Sequence, residues 1–469
     1  MKNVQGVRGS IVVKMQRKEL LNVTLHKKLH EKLYVELNGG NTVRSSLIFI
    51  VFYTLFFIAT ANTLASEKIQ HANAGLSLVD SIQLAIKENP KLESSQAKFD
   101  ALAQMPEQAG ALPEPRLIFN AVNLPLDSLS LSQTPMTQIQ FGVSQNFPFP
   151  GKLNLKQNIA KKESLAGGEM ITMTRQSIVK NVKQLWWKIF YLDRSLDTVK
   201  NNLNLLLEFI DVAETKYTVG KGLQQEVLLA HLELASLEDN QLQIEAMREK
   251  AQASFNLLLN RDGNSKVTLD SKEPDSLPEL DKLTVLIAKA KESRPEFRKA
   301  SLNISAAKDR MGLADKEYYP DFQLGAIYGW RQDDTGLASM QLSMNLPFNT
   351  ENRQDKKRDQ RRYEWLQKKY DLQDLENTVE EEIYQALTDY KRSRKQTLIY
   401  QDRIIPQATQ TVDSMLAGYQ VNKVDFLNLL RSQVNLLNFQ TQYWLAFSTA
   451  NQALAALEYA VGGVDVYEK

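Results

Sequence analysis

The sequence predicts a mainly α fold with a small β part. Two internal repeats supply long coiled-coil helices that pack lengthwise and four amphipathic strands per chain, too few to close a barrel alone. Three observations carry this. An apolar heptad runs through a proline-free stretch that starts at Lys152, four short segments alternate apolar with polar residues, and a set of short motifs recurs at a nearly constant shift.

The chain has 469 residues, 43% hydrophobic and 24% charged, enough for one large or two medium folded units. It has no cysteine, which excludes disulfides, thiolate metal sites and a lipid anchor on an N-terminal cysteine. Residues 1–65 read as a leader. Within them Leu47 to Ala61 is an uncharged run, preceded by Arg44 and followed by small residues suited to cleavage after Ala65. At about 1.5 Å per residue the run reaches only about 22 Å, short of a hydrocarbon core of about 30 Å, so a signal peptide is expected rather than a permanent anchor. The stretch before it is longer than a usual basic n-region, so the N-terminus reads as over-extended, with Met15 one later start. The whole chain carries a net charge of +2, but the leader holds nine Lys or Arg and three acids. The remainder, with 48 basic and 52 acidic residues, is at about −4. No basic patch argues for nucleic acid.

The repeats come next. Asn89-Pro90-Lys91-Leu92, expected inside an early helix, is answered by Arg294-Pro295-Glu296-Phe297, and Pro115 by Pro320, both at a shift of 205. Asn146-Phe147-Pro148-Phe149 is answered by Asn345-Leu346-Pro347-Phe348, and Tyr217 to Lys221 by Tyr419 to Lys423 at a shift of 202. Each copy reads helix, strand, strand, very long helix, sharp break, long helix. The division is leader 1–65, first repeat 76–267, linker 268–280 with Pro274 and Pro278, second repeat 281–464 and tail 465–469.

In the first long helix Ile178, Val182, Leu185, Ile189, Leu192, Leu196, Val199, Leu203, Leu206 and Ile210 recur at alternating spacings of four and three, which is a coiled-coil seam. A helix from Lys152 to about Tyr217 would be about 100 Å long. Copy two shows a shorter seam at Leu372, Leu375, Val379, Ile383, Ala386 and Tyr390, with Leu430, Val434, Leu437 and Trp444 on its return helix.

The strands are expected from Arg116 to Val122, around Ile139, Phe141 and Val143, from Phe322 to Trp330, and around Met340, Leu342 and Met344. Their alternation suits a membrane barrel or a soluble sandwich equally. Four strands cannot close a membrane barrel, for which about eight is the minimum, so other chains must contribute. Eight strands from a dimer would fill with side chains, whereas twelve from a trimer would leave an open lumen.

The segment Gly142-Val143-Ser144-Gln145-Asn146-Phe147-Pro148-Phe149-Pro150-Gly151-Lys152-Leu153 is similar to the strand-to-helix junction of the TolC family of outer membrane efflux proteins, especially its heavy-metal branch. The resemblance spans both repeats. It implies a homotrimer with a twelve-stranded barrel in outer membrane lipid and a helical tunnel extending into the periplasm. It also implies a periplasmic adaptor and an inner membrane pump, in the metal branch of the resistance-nodulation-division class. At the junction, Phe147, Pro148, Pro150 and Gly151, with Pro347 in copy two, end pairing and set the turn. The periplasmic tips fall at the helix breaks, with Tyr217, Gly220, Gly222, Tyr419 and Asn422 as adaptor-docking candidates. Family members can carry acids at the tunnel mouth, but the matching positions here are Asn428 and Arg431, so the nearby Asp425 and Glu226 are the acidic candidates.

No nucleophile elbow, phosphate-binding loop or histidine cluster is present, and outside the leader only His71 and His231 remain. No catalytic, metal or cofactor site is therefore expected. The methionines and the Glu380-Glu381-Glu382 run read as packing and as a solvated face. The expected function is a passive trimeric duct of a tripartite efflux system, carrying heavy-metal cations. The alternatives are drug or dye efflux, type I protein secretion, or a periplasmic coiled-coil adaptor or scaffold.

Overall fold

The computed structural model describes residues 75–270, 276–332 and 335–467. The leader, its apolar run and its cleavage point lie outside the described residues, as do His71, Pro274 and the last two residues of the tail.

The chain begins with α1 (Leu78–Glu88), whose start is capped by Ser77 accepting the Asp80 N–H at 3.1 Å. Asn89 and Pro90 do not lie within one continuous helix, which the sequence had suggested, but at the boundary between two. They separate α1 from α2 (Pro90–Ala103), because proline fits the first helical position, where its missing N–H leaves no bond unmade. A short α3 (Met105–Gly110) leads into β1 (Arg116–Val122) and β2 (Gln138–Phe147). Then come the rod α4 (Lys152–Thr218), of 67 residues, and the return helix α5 (Gln224–Leu258).

The order recurs with α6 (Leu283–Ser293), α7 (Pro295–Lys316), β3 (Phe322–Trp330) and β4 (Leu337–Met344). The second rod is α8 (Gln354–Ile399), a π-helical turn (Tyr400–Ile404) and α9 (Ile405–Gln420), followed by the return helix α10 (Phe426–Ala460). These three rod segments hold 46, 5 and 16 residues, together as long as α4. The second rod is thus interrupted rather than shorter. Pro406 has no N–H and its ring would crowd the preceding turn; the π turn, in which the Ile405 N–H reaches the Tyr400 carbonyl, accommodates it.

The two helix junctions are anchored in the same way. Asn89 Nδ2 donates to the carbonyl of Leu258, the last residue of α5, at 2.9 Å. Arg294, just before Pro295, donates to the carbonyl of Ala460, the last residue of α10, at 3.3 Å. Each side chain satisfies a carbonyl at a helix end that has no intrahelical partner. Arg294 is 4% exposed, and its charge is met by Glu296 at 3.1 Å and Glu382 at 2.6 Å. Single bridges, Leu76 with Leu269 and Leu280 with Tyr467, join the start of each half to its end.

The rods pack lengthwise: α4 lies against α5, α7 and α10, and α8 against α7 and α10. The heptad seam is the core, with Ile178, Val182, Ile189, Leu192, Val199, Leu206 and Ile210 buried and Leu185, Leu196 and Leu203 partly buried beside them. Midway, Trp186, Trp187, Phe190 and Phe447 form an aromatic cluster with ring centroids 4.7 to 6.1 Å apart. No described helix is long and apolar enough to cross a membrane.

The four strands form one antiparallel sheet in the order β1-β2-β3-β4. Its register puts Leu117, Phe119 and Ala121 opposite Val143, Phe141 and Ile139, and these in turn opposite Ala326, Tyr328 and Trp330. Leu324 faces Leu342, Ala326 faces Met340 and Phe322 faces Met344. One face is therefore apolar from edge to edge. Its exception, Gln145, sits near the sheet's end and donates to the Pro113 carbonyl at 2.7 Å. The other face is polar or small over most of its area, with Asn120, Gln140, Gly142, Ser144, Gln323, Gly325, Gly329, Ser339, Gln341 and Ser343. β4 starts three residues earlier than its alternation had indicated, and β2 runs on to Phe147, paired with Phe322.

Candidate functional site

The two helix breaks form one joined tip. At the first, Gly220 has φ +70°, and its N–H reaches the Tyr217 carbonyl at 3.0 Å while the Lys221 N–H reaches the Lys216 carbonyl at 2.8 Å. At the second, Asn422 has φ +57°, with Asn422 N–H to Tyr419 at 3.1 Å and Lys423 N–H to Gly418 at 2.9 Å. These are the same left-handed C-terminal turn, made by glycine in one copy and asparagine in the other. Gly222 is held for space: a Cβ there would lie 3.0 Å from both the Lys216 Cβ and the Tyr217 nitrogen.

Lys216 bridges the breaks. Its Nζ donates to the Tyr419 carbonyl and, at 2.8 Å, to Asn422 Oδ1, and it lies 3.8 Å from the centre of the Tyr419 ring. Tyr419 is 3% exposed against 48% for Tyr217, and its ring packs on Phe426. The Tyr419 hydroxyl donates to Glu226 Oε2, which also accepts the Leu223 N–H at the start of α5. Burial pushes the Tyr419 hydroxyl above its ordinary pKa, and the adjacent Glu226 charge adds to the shift.

The candidates for the tunnel mouth therefore separate. Glu226 is turned inward to Tyr419, while Asp425, Asn428 and Arg431 are exposed along the first turns of α10. Asp425 is the residue before α10 and caps it through its backbone only.

At the other end of α4 lies the strand-to-helix junction. After Phe147 closes β2, Pro148 ends the ladder and the Phe149 N–H turns to Asp321 Oδ1 at 2.7 Å. The Phe149 ring stacks on Tyr319 at 4.4 Å. Pro150 and Gly151, with φ +91°, then set the start of α4. Lys152, 9% exposed at its side chain, donates to Asp321 Oδ1 at 2.8 Å and to the Tyr319 carbonyl at 3.1 Å. Desolvation alone would raise the Asp321 pKa, but the bonds from Lys152 and the Phe149 N–H outweigh it and hold the carboxylate below its usual range. In copy two Pro347 sits in a tight turn, Phe348 N–H to Leu346 at 3.1 Å, and a longer loop precedes α8.

The sequence pattern did not reveal the pairings made by Lys216, Lys152, Asp321 or Tyr319. Each is a single residue whose partner lies on a distant element, so no spacing marks it. Among the described residues no group of three or more His, Cys, Asp or Glu could hold a metal ion.

Long helical rods ending in a joined tip, with a sheet apolar on one face and largely polar on the other, are the chain architecture of the helical-barrel channels. The profile of the outer membrane efflux protein family matches residues 81–261 and 286–463, and the chain belongs to that family. Its members are non-enzymatic transport ducts, trimeric channels that work with adaptors and inner membrane pumps.

The fold is similar to that of the outer membrane protein VceC from Vibrio cholerae, at 18% identity and TM-score 0.69, covering 82% of this chain and 96% of that one. The CusC channel compares at 17% identity and TM-score 0.70, covering 84% and 95%. The CmeC outer membrane channel of Campylobacter jejuni compares at 16% and 0.69, covering 82% and 85%. An uncharacterized protein of Haemophilus influenzae is 18% identical over 237 residues, 47% of this chain and 52% of the relative. The chain thus spans about half the length of the curated relative it matches.

Proposed function

We propose that the chain is the outer membrane duct of a tripartite efflux system. Three copies would close a twelve-stranded barrel in the membrane and a helical tunnel below it, ending on the tip built around Tyr419 and Lys216. The observation that carries this reading is the sheet. It is apolar on one complete face, polar or small over most of the other, and has edge strands β1 and β4 that each pair on one side only within the chain. Such a sheet buries no soluble core on its apolar face and is one third of a barrel of twelve strands.

The cargo proposed is heavy-metal cations, on the resemblance of Gly142 to Leu153 to the metal branch of the family. Selection would rest with the pump and adaptor, since the described residues offer the metal no ligand cluster. The test is growth of a deletion strain, with and without a plasmid copy, across graded copper, silver, zinc, cobalt and nickel beside dyes and bile salts. Complemented sensitivity confined to metals is the expected result. Sensitivity to dyes and bile salts alone would replace the metal cargo while keeping the duct.

A further inference from the structure

A cavity of about 690 Å³ lies at the foot of β4, between the start of α4, the end of α7 and the start of α8. Its wall carries four cations, Lys152, Lys156, Arg353 and Lys357, and two acids, Glu317 and Asp321. Lys152 pairs with Asp321 and Lys357 with Glu317. That leaves Lys156 and Arg353, both exposed, with no carboxylate in ion-pair range among the described residues and the cavity with an excess of positive charge. Gln354, 8% exposed, also lines it, and its amide oxygen has no hydrogen-bond partner. A buried acceptor left unpaired has lost its hydration without a replacement, so a donor that enters the cavity is favoured there.

The position of the cavity limits what that ligand is. Met344, also in its wall, lies on the apolar face of the sheet opposite Phe322, so the cavity borders the surface that lipid would touch. Beside it the stacked Phe149 and Tyr319 rings lie about 5.5 Å from the Lys316 ammonium. Aromatic rings followed by cations are the side-chain order of a membrane–water boundary.

We infer that this cavity binds the headgroup of an anionic glycerophospholipid in the periplasm-facing leaflet. Lys156 and Arg353 hold the phosphate oxygens, and the Gln354 amide turns to accept a headgroup hydroxyl. The inference rests on the outer membrane reading above.

The test uses the full chain, reconstituted into phosphatidylethanolamine vesicles with or without phosphatidylglycerol and checked for insertion by flotation. The lipid retained by the detergent-extracted protein is then measured by native mass spectrometry. The expected result is preferential retention of phosphatidylglycerol, reduced about tenfold in the double variant K156A/R353A and unchanged in K250A/K391A, whose exposed lysines lie elsewhere. Insertion without any phosphatidylglycerol preference, or a preference that K156A/R353A leaves intact, overturns the lipid site alone. Failure of the wild-type chain to float overturns the membrane reading, and the lipid site with it. Displacement of the retained lipid by millimolar inorganic phosphate would reassign the cavity to free phosphate.

Discussion

Tyr419 and Glu226 meet at 3.2 Å, hydroxyl to carboxylate, across the gap between the two helix breaks. The end of the second rod is thereby fixed to the first turn of the first return helix, although the residues are 193 apart in sequence. Removing the hydroxyl in Y419F should cost about 1 kcal/mol, which is about a fivefold increase in local opening. Amide hydrogen exchange should rise by that factor at residues 217–226 and 419–426 and stay unchanged in the sheet. A uniform rise over the whole chain would show that the contact supports the fold generally and not the tip.

The two faces of the sheet should answer differently to charge. Phe141 sits mid-strand on the apolar face, edge-on to Phe119 at 5.2 Å, while Gln140 beside it points to the polar face. F141K should oppose membrane insertion by about 2–4 kcal/mol, seen as loss of heat-resistant oligomer and of membrane-fraction protein. Q140K should insert normally and alter single-channel conductance. Equal tolerance of both would remove the case for a lipid-facing side.

Asp321 makes junction stability depend on pH at the acid end. Its carboxylate is held below the usual range by Lys152 and the Phe149 N–H, so its contribution is complete above about pH 4, the ordinary carboxylate value. That contribution is lost as pH falls through the lowered value. The melting-temperature gap between wild type and D321N should therefore be constant from pH 5 to 8 and shrink below about pH 4. A gap that changes between pH 6 and 8 would point to another group.

The left-handed tip positions predict an asymmetric tolerance. Gly220 has open space where a Cβ would go, and its counterpart Asn422 already holds the same backbone conformation. G220N should be close to neutral, whereas G220V should destabilise by about 1–2 kcal/mol through backbone strain alone. Thermal melts of the two variants would separate these outcomes.

Features set by local periodicity were legible in the sequence. The seam from Ile178 to Ile210 and the alternation in Phe322 to Trp330 each declare an element because burial repeats with the backbone. Proline was harder to interpret: Pro90 and Pro295 open helices and Pro406 sits after a π turn, so the residue type alone does not tell a break from a register change. Lys216 with Tyr419, and Lys152 with Asp321, were out of reach because their partners come from opposite repeats.

The π turn resets the phase of the second rod against the first. Both rods have 67 residues, but a π turn takes up one residue more than an α turn. The buried seam is therefore one residue out of step before the turn, where Val379, Ile383 and Tyr390 answer Ile178, Val182 and Ile189 at a shift of 201, and in step after it, where Val412 answers Ile210 at 202. At the tips the two copies still differ, for Tyr217 is half exposed and Tyr419 is buried. In an assembly of three such chains, six rod ends around the axis would not be quasi-sixfold: they would alternate as three of one kind and three of another. A docking protein built from a single repeated module would meet two chemically different seats.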